Sequence, residues 1–395
     1  MSSRGHRVRL CFVVTSDVTA GAFLRGYVTE LVRSGISVDL VCSPGPGLDQ
    51  FRNVSGVTLH PRSMNREPSP ISDLRAFLGL VVLFVRLRPH AIVYATPKAS
   101  LLASCAGFLA GIRVRIYELW GLRLETAKGV QRPILFLLER LTMRLSTSVV
   151  ANSKSLLYRA RGLRLMSAED GEVLGPGSSH GIDTDFFSSS ASRPGVDSET
   201  AKFLSSSRGF TIGYVGRLHP DKGVDLLIQA IRTVKERGVA IRALLVGGDE
   251  GAQLPDLSGL DVHLVGQVRD VRPYVAEMDL LVLMSLREGF PNVVLEAAGM
   301  GIPAIVADST GAKDAVVDGV TGYIVPAAGQ AELEDRIMRL ENDSAELDQL
   351  GKQARMRAVE EFSASHICRL HVQHYLAQIC RSSPNAARKA LWHSE

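Results

Sequence analysis

The sequence predicts an α/β protein built from two doubly wound, Rossmann-like halves, and three observations predict it. Apolar, strand-like runs alternate with helix-spaced segments along most of the chain, the pattern of parallel sheets covered by helices. At 395 residues the chain is too long for one ordinary core, and two domains of about 150–200 residues are the natural division. The alternation breaks once, where the composition turns to Ser, Gly and Arg between 186 and 208, and then restarts.

Each element follows in order. Arg7–Val14 (RVRLCFVV) reads as a buried first strand that ends in a polar loop, Thr15–Gly21. Phe23–Ser34 has helical spacing (Phe23, Tyr27, Leu31) and stops at Gly35, a residue suited to a helix C-terminus. Ile36–Cys42 is the second strand and 44–47 a loop. Helix 73–88, strand 91–95, helix 99–110, strand 113–118, helix 133–145 and strand 148–151 continue the rhythm. After the break come strand 211–215, helix 224–237, strands 242–246 and 262–265, helix 271–277, strand 280–284 and helix 292–299. Strand 304–307 and a helical region from about 331 complete the chain. The expected boundaries are a first domain at 1–187, a linker at 188–208 and a second domain at 209–364. A terminal helix within 365–395 is expected to cross back to the first domain. Ligands of such sheets sit outside the carboxyl ends of the strands, so the active site is expected between the two domains.

Composition narrows the function. Hydrophobic residues at 46% and charged residues at 22% describe a globular chain, not a disordered or fibrous one. Residues 1–190 hold 23 Lys and Arg against 14 Asp and Glu, whereas the remainder holds 22 against 27. A basic first half suggests an anionic partner there, although a chance scatter of surface arginines gives the same count. The five cysteines have no metal-ligand spacing, as in reduced, mostly buried thiols of a cytoplasmic protein. No signal-peptide core follows the basic N-terminus. The most apolar stretch, 76–85, is about half the length needed to cross a bilayer. It reads as a core helix, or as a membrane-surface helix because Arg75, Arg86 and Arg88 flank it. No cofactor, no metal and no nucleic acid is expected.

The chemistry concentrates in the second half. Gly213 to Gly223 (GYVGRLHPDKG) closes a strand and opens a helix. Its glycines, Gly216 among them, let the backbone approach a ligand. Arg217 offers a planar donor fork and Lys222 a point charge, both suited to phosphate oxygens. No GxGxxG stands after either opening strand, which argues against dehydrogenase chemistry. Glu288 to Glu296 (EGFPNVVLE) follows an apolar strand and leads into a helix, with Pro291 in its first turn. The amides of Asn292 and Val293 would point out of that N-terminus, which favours a diphosphate. Glu288 lies before it and Glu296 about one turn inside, so the two carboxylates can reach opposite ends of one ligand. Glu288 would face a sugar and Glu296 ribose hydroxyls; alternatively Glu288 caps the helix and Glu296 is simply exposed. Lys313, in Gly311-Ala-Lys313, adds a cation near the sugar or is a solvated lysine in an ordinary turn.

Taken in order, GRLHPDKGVDLLIQAI, LLVGG, VGQV and EGFPNVVLEAAGMGIPAIVADSTGAKDAVVDGVTGYIV resemble the C-terminal half of the family 4 retaining glycosyltransferases, which have the GT-B fold. The resemblance covers nearly all of 210–325. It implies that Arg217 and Lys222 neutralise a departing diphosphate, that Glu288 holds the donor sugar and that Glu296 binds ribose. Gly216, Phe290, Pro291, Asn292 and Val293 complete the implied donor site, and Val265 and Val268 of the VGQV segment lie near the nucleobase. It also implies metal-independent transfer with retention, from a UDP-sugar, with GDP as the alternative.

The first half resembles a narrower group acting in capsular and O-antigen polysaccharide assembly, through TSDVTAGAFLRG, VCSPG, REPSPISDL, YATPKAS, GLRLETAKG and GSSHGIDTDFF. That implies an acceptor carried on a lipid diphosphate, and an enzyme peripheral at the inner face of the membrane. The basic residues Arg66, Lys98, Arg113, Arg115, Arg123, Lys128 and Arg132 are compatible with it. Ala20, Gly21, Trp120 and His180 are the acceptor-side candidates. Many family members carry His where this chain has Trp120, which puts the inherited sugar preference in doubt. Trp120 stacks on a sugar or prenyl chain, or belongs to the core. Asp183-Thr184-Asp185 looks like a metal motif but reads as a turn or cap. His366, His371 and His374 do not form a metal-ligand pattern on one helix face. The remaining alternatives are a non-hydrolysing UDP-sugar 2-epimerase, a catalytically silent sugar-nucleotide-binding subunit, and transfer to a small natural product.

Overall fold

The computed structural model describes residues 8–65, 69–206, 209–251 and 254–382. Arg66, one of the basic residues above, lies outside them. The chain divides into two compact units, Met1–His180 with Ser365–Glu395, and Gly181–Ala364.

In the first unit the order is β1 (Arg9–Val13), α1 (Asp17–Phe23), α2 (Arg25–Arg33), β2 (Ser37–Cys42), β3 (Val57–Pro61), α3 (Pro70–Leu87) and β4 (Ala91–Tyr94). It continues with α4 (Pro97–Leu109), β5 (Val114–Leu119), α5 (Gln131–Leu145), β6 (Ser148–Ala151) and α6 (Lys154–Gly162). The strands form one parallel sheet in the order β3-β2-β1-β4-β5-β6. Two differences from expectation stand out. The loop expected at 15–21 contains α1, because the Ser16 side chain accepts from Thr19 N and starts a turn. The half-exposed edge strand β3 has no long apolar run that would announce it.

The sheet is buried on both faces. On one, α2 and the terminal helix α13 (Ala364–Ser382) pack against Leu10, Phe12, Val38 and Val93. On the other, α3, α4, α5 and α6 pack against Cys11, Val13, Ile92, Tyr117 and Leu119. Glu118 fastens α13: its Oε1 accepts from Tyr375 Oη at 2.6 Å and lies 3.1 Å from His371 Nδ1.

The second unit contains α7 (Ser198–Ser206), β7 (Phe210–Val215), α8 (Val224–Glu236), β8 (Ile241–Val246), β9 (Val262–Gly266) and α9 (Arg272–Val275). After them come β10 (Leu280–Leu283), α10 (Asn292–Gly299), β11 (Ala304–Ala307), β12 (Gly322–Val325), α11 (Gln330–Asn342) and α12 (Ser344–Phe362). Its sheet, β12-β11-β10-β7-β8-β9, repeats the topology of the first, with the strand order reversing beside the opening strand β7. The stretch expected as linker is not a featureless tether. It carries α7, and Arg272, stacked 3.4 Å over the Phe186 ring, donates to the carbonyls of Phe186 and Ser192. Asp183 Oδ1 accepts from the amides of Asp185 and Phe186, so that acidic triplet is a turn.

Candidate functional site

Four loops at the carboxyl ends of β7, β8, β10 and β11 bring the charged residues of the second unit together. After β7, Tyr214 Oη donates to the Arg217 carbonyl at 2.7 Å, and residues 220–222 make one tight turn. Gly223 ends that turn at φ 65° and caps α8. A Cβ at this position would lie 2.1 Å from the Met284 carbonyl oxygen, so only glycine lets the loop after β7 touch the end of β10. That approach sets Lys222 beside Glu288, with Nζ 2.6 Å from Oε1 and the side chains 15% and 16% exposed.

Neighbouring contacts fix the pair from below. Asp221 accepts from Arg287 Nη2 at 3.0 Å and lies 2.6 Å from His219 Nδ1, while Leu286 N donates to the Asp221 carbonyl. Burial raises the Asp221 pKa, but the His219 contact and the Lys222 and Arg287 charges outweigh it and hold the carboxyl below its ordinary value. Glu288 N donates to the Thr310 carbonyl, and Gly311, at φ 77°, closes against Gly289 where a Cβ would sit 2.3 Å from its carbonyl oxygen.

Arg217 does not join the Lys222–Glu288 pair directly. Its Nη1 lies 2.5 Å from Glu250 Oε2 on the loop after β8, and both side chains are about two-fifths exposed. Such a contact is worth little by itself and can be exchanged for a phosphate. Sequence reasoning missed Glu250, which carries no motif of its own. It also passed over Asp221, although Asp221 lies within the quoted GRLHPDKG segment.

Pro291 caps α10 rather than occupying its first turn, and Asn292 and Val293 are partly exposed at the helix start. Glu296 follows one turn later; desolvation pushes its carboxyl up to about 7. The Phe290 ring is buried against Phe362, with centroids 5.4 Å apart, so what Phe290 can offer a ligand is its backbone. Val265 and Val268 are partly buried at the end of edge strand β9 and just beyond it. Gly216 directly follows β7, and its amide donates to the Val246 carbonyl. Lys313 pairs with Asp308 at 2.9 Å, near the surface.

In the first unit, Trp120 and His180 are joined through a residue that the helical spacing had placed only as packing. Phe23 stacks on Trp120 at 4.8 Å and on His180 at 4.6 Å. Trp120 leans on the core, and its buried Nε1 has no hydrogen-bond partner among the described residues. Burial pushes His180 down to about 4, so its ring is neutral at ordinary pH. The Tyr27 hydroxyl donates to the Ser179 carbonyl and sets the turn that carries it. Ala20 has no exposed surface: its methyl belongs to the core and cannot touch an acceptor. Gly21 is partly exposed against the Gly47 turn.

Among the described residues, no group of three or more His, Cys, Asp or Glu is placed to hold a metal ion. The second unit therefore offers a cation held by a carboxylate, a second cation on an exchangeable partner, and helix amides beside them. That arrangement can neutralise and orient an anionic leaving group.

Comparison with known proteins identifies the family and supports the fold. Residues 19–177 match the family described as "Glycosyl transferase 4-like domain", and residues 209–343 match "Glycosyl transferases group 1". The capsular polysaccharide biosynthesis glycosyltransferase CapM of Staphylococcus aureus is 33% identical over 351 residues, covering 87% of this chain and 90% of that protein. An Escherichia coli enzyme described as UDP-Gal:alpha-D-GlcNAc-diphosphoundecaprenol alpha-1,3-galactosyltransferase is 21% identical, covering 82% of this chain and 85% of that protein. The crystal structure of Anabaena HepE in complex with UDP-glucose superposes with a TM-score of 0.73 at 21% identity, covering 94% of this chain and all of that one. That likeness supports the fold.

Proposed function

Because this chain belongs to the family 4 glycosyltransferases and has their GT-B fold, we propose that it transfers a hexose or N-acetylhexosamine from a UDP-sugar to a hydroxyl of a lipid-linked saccharide during polysaccharide assembly. The observation that carries the reading is the Lys222–Glu288 ion pair, 2.6 Å long, next to the amino terminus of α10. An ammonium has three donors. One is spent on Glu288, leaving the others for the diphosphate of a donor whose sugar Glu288 contacts.

Arg217 exchanges Glu250 for phosphate oxygens, the amides of Asn292 and Val293 add their partial positive charge, and Glu296 meets the ribose hydroxyls. Val265 and Val268 border the base. The bond from the anomeric carbon to the diphosphate oxygen breaks as the acceptor oxygen bonds to the same face, and the acceptor proton passes to a departing phosphate oxygen. The configuration is retained, and no protein nucleophile is consumed. Preplaced cations act where charge develops and are each worth about 3–4 kcal/mol of barrier. The E. coli enzyme's diphosphoundecaprenol-linked substrate supports a lipid-linked acceptor, and the capsular relative supports a part in polysaccharide assembly. On the acceptor side, the Trp120–Phe23–His180 stack provides an aromatic surface suited to a sugar or prenyl chain.

The test begins with a thermal-shift panel of nucleotide sugars. A true donor at about 100 times its dissociation constant stabilises the protein by about 2.7 kcal/mol. The selected donor is then supplied with labelled sugar and a lipid-linked acceptor. Transfer with retention supports the proposal; an epimerised donor, or binding without transfer, replaces it with another function.

A further inference from the structure

The outer surface of the α3–α4–α5 layer is apolar where a helical layer is ordinarily polar. Helix α3 buries Ala76, Leu80, Leu83 and Phe84 against the sheet, yet it leaves Ile71, Leu74, Leu78, Val82 and Val85 between 48% and 70% exposed. Helix α5 buries Met143 and exposes Ile134, Leu137, Leu138 and Leu141, a second stripe at helical spacing. Both helices border α4 and pack on the same face of the sheet, and α4 ends in exposed Phe108 and Leu109. Single exposed aliphatics are ordinary, but two stripes on one layer are not.

Apart from Asp73 in the first turn of α3, which pairs with Lys98 at 2.8 Å, the charges around the stripes have one sign. From Leu74 to Tyr117 the sequence contains no Asp or Glu, but it contains Arg75, Arg86, Arg88, Lys98, Arg113 and Arg115. Between Thr126 and Ala168 the sole acid is Glu139, which is buried and accepts from Tyr117 Oη at 3.0 Å. Arg132, Arg140 and Arg144 are exposed on α5 alongside its leucines. Aliphatic stripes bordered by arginines, without exposed acids, match an apolar layer beneath negative headgroups.

We propose that the outward face of α3 and α5 docks this protein on an anionic phospholipid bilayer. The aliphatic stripes enter the acyl boundary and the arginines meet the phosphates. Docking deepens the lipid-linked acceptor reading, on which its biological purpose rests, because it would hold the enzyme at the surface that carries such an acceptor. The physical evidence for docking, however, comes from these helices alone.

The test is flotation of the full chain with vesicles of phosphatidylcholine alone and of phosphatidylcholine with phosphatidylglycerol, beside transfer to a short water-soluble acceptor. Binding should favour the anionic vesicles and weaken with salt. The variant Leu137→Ser/Leu141→Ser should lose at least tenfold in partition. Arg140→Gln/Arg144→Gln should lose about fivefold per arginine on anionic vesicles at low salt. Both variants should keep the parent's melting midpoint and its rate on the soluble acceptor, since these side chains are exposed. Failure of the parent to float with anionic vesicles overturns docking, as does a concentration-dependent dimer that the leucine variant abolishes while flotation persists. Flotation without any sugar transfer supports docking and instead overturns the transferase reading.

Discussion

Replacing Lys222 by alanine removes the ammonium 2.6 Å from Glu288 Oε1 and leaves a carboxylate about one-sixth exposed without its partner. Two separate losses follow. Exposed ion pairs contribute about 0–1 kcal/mol, and breaking a fully buried one costs about 3–5 kcal/mol. This pair lies between those limits, so folding should lose roughly 1–2 kcal/mol, or about 3–6 °C in melting midpoint. Turnover should lose far more, because the cation acts on charge that develops only as the diphosphate departs. A loss of about 3–4 kcal/mol there lowers kcat/KM by roughly 10²–10³. Labelled-sugar transfer, run well below the melting transition with folding checked by circular dichroism, separates the two effects. Glu288→Gln retains an oxygen that accepts from Lys222 and should melt closer to the parent while still losing transfer. A folded Lys222→Ala protein that turns over within tenfold of the parent would refute the assignment of Lys222 to the leaving group.

Other perturbations reach different parts of the molecule. Gly223→Ala puts a Cβ 2.1 Å from the Met284 carbonyl oxygen at φ 65°, whereas Gly238→Ala has φ 85° and nothing within 4 Å. The first should therefore lower the melting midpoint and the turnover together, and the second should cost only about 1 kcal/mol of stability; equal effects would contradict the packing argument. Burial raises Glu139 to about 7 despite its bond from Tyr117, so the native protein retains a proton that the unfolded chain has released above its ordinary carboxylate value. Stability should fall as pH rises from about 4.5 through 7. Glu139→Gln should be more stable than the parent at pH 8, by at most about 3 kcal/mol, and similar to it at pH 5; an identical difference at both values would count against it. Phe23→Ala removes the ring between Trp120 and His180. Followed by NMR, the His180 titration should move from about 4 towards its ordinary value near 6.5, and an unmoved titration would show that other groups keep the ring dry.

Much of the fold was legible because its signals are local. The strand at 148–151, the helix at 292–299 and the strand at 304–307 coincide with the observed elements, since short apolar runs bounded by turn residues have one good burial solution. Two of the elements that went unpredicted, β3 and α1, lack that signal. Strand β3 is half-exposed at a sheet edge, and α1 begins with a Ser16 cap amid polar residues. The Ser-rich stretch from 188 looked like a tether, yet Arg272, distant in sequence, holds its beginning. In the candidate site, EGFPNVVLE and GRLHPDKG named Lys222 and Glu288, but nothing local says that Gly223 lets their loops meet.

From sequence alone came two Rossmann-like halves, the family resemblance, and the candidate residues for a nucleotide diphosphate. Spacing, turn chemistry and charge type are properties of neighbours along the chain, so those conclusions needed no coordinates. Tertiary structure decided which charges are partners: Lys222 with Glu288, and Arg217 with Glu250. It also decided that Ala20 is core, that Phe23 joins Trp120 to His180, and that nine apolar residues of α3 and α5 face outward. The physical reason is burial: periodicity shows that a helix has an apolar face, but only packing against the sheet settles which side is already covered.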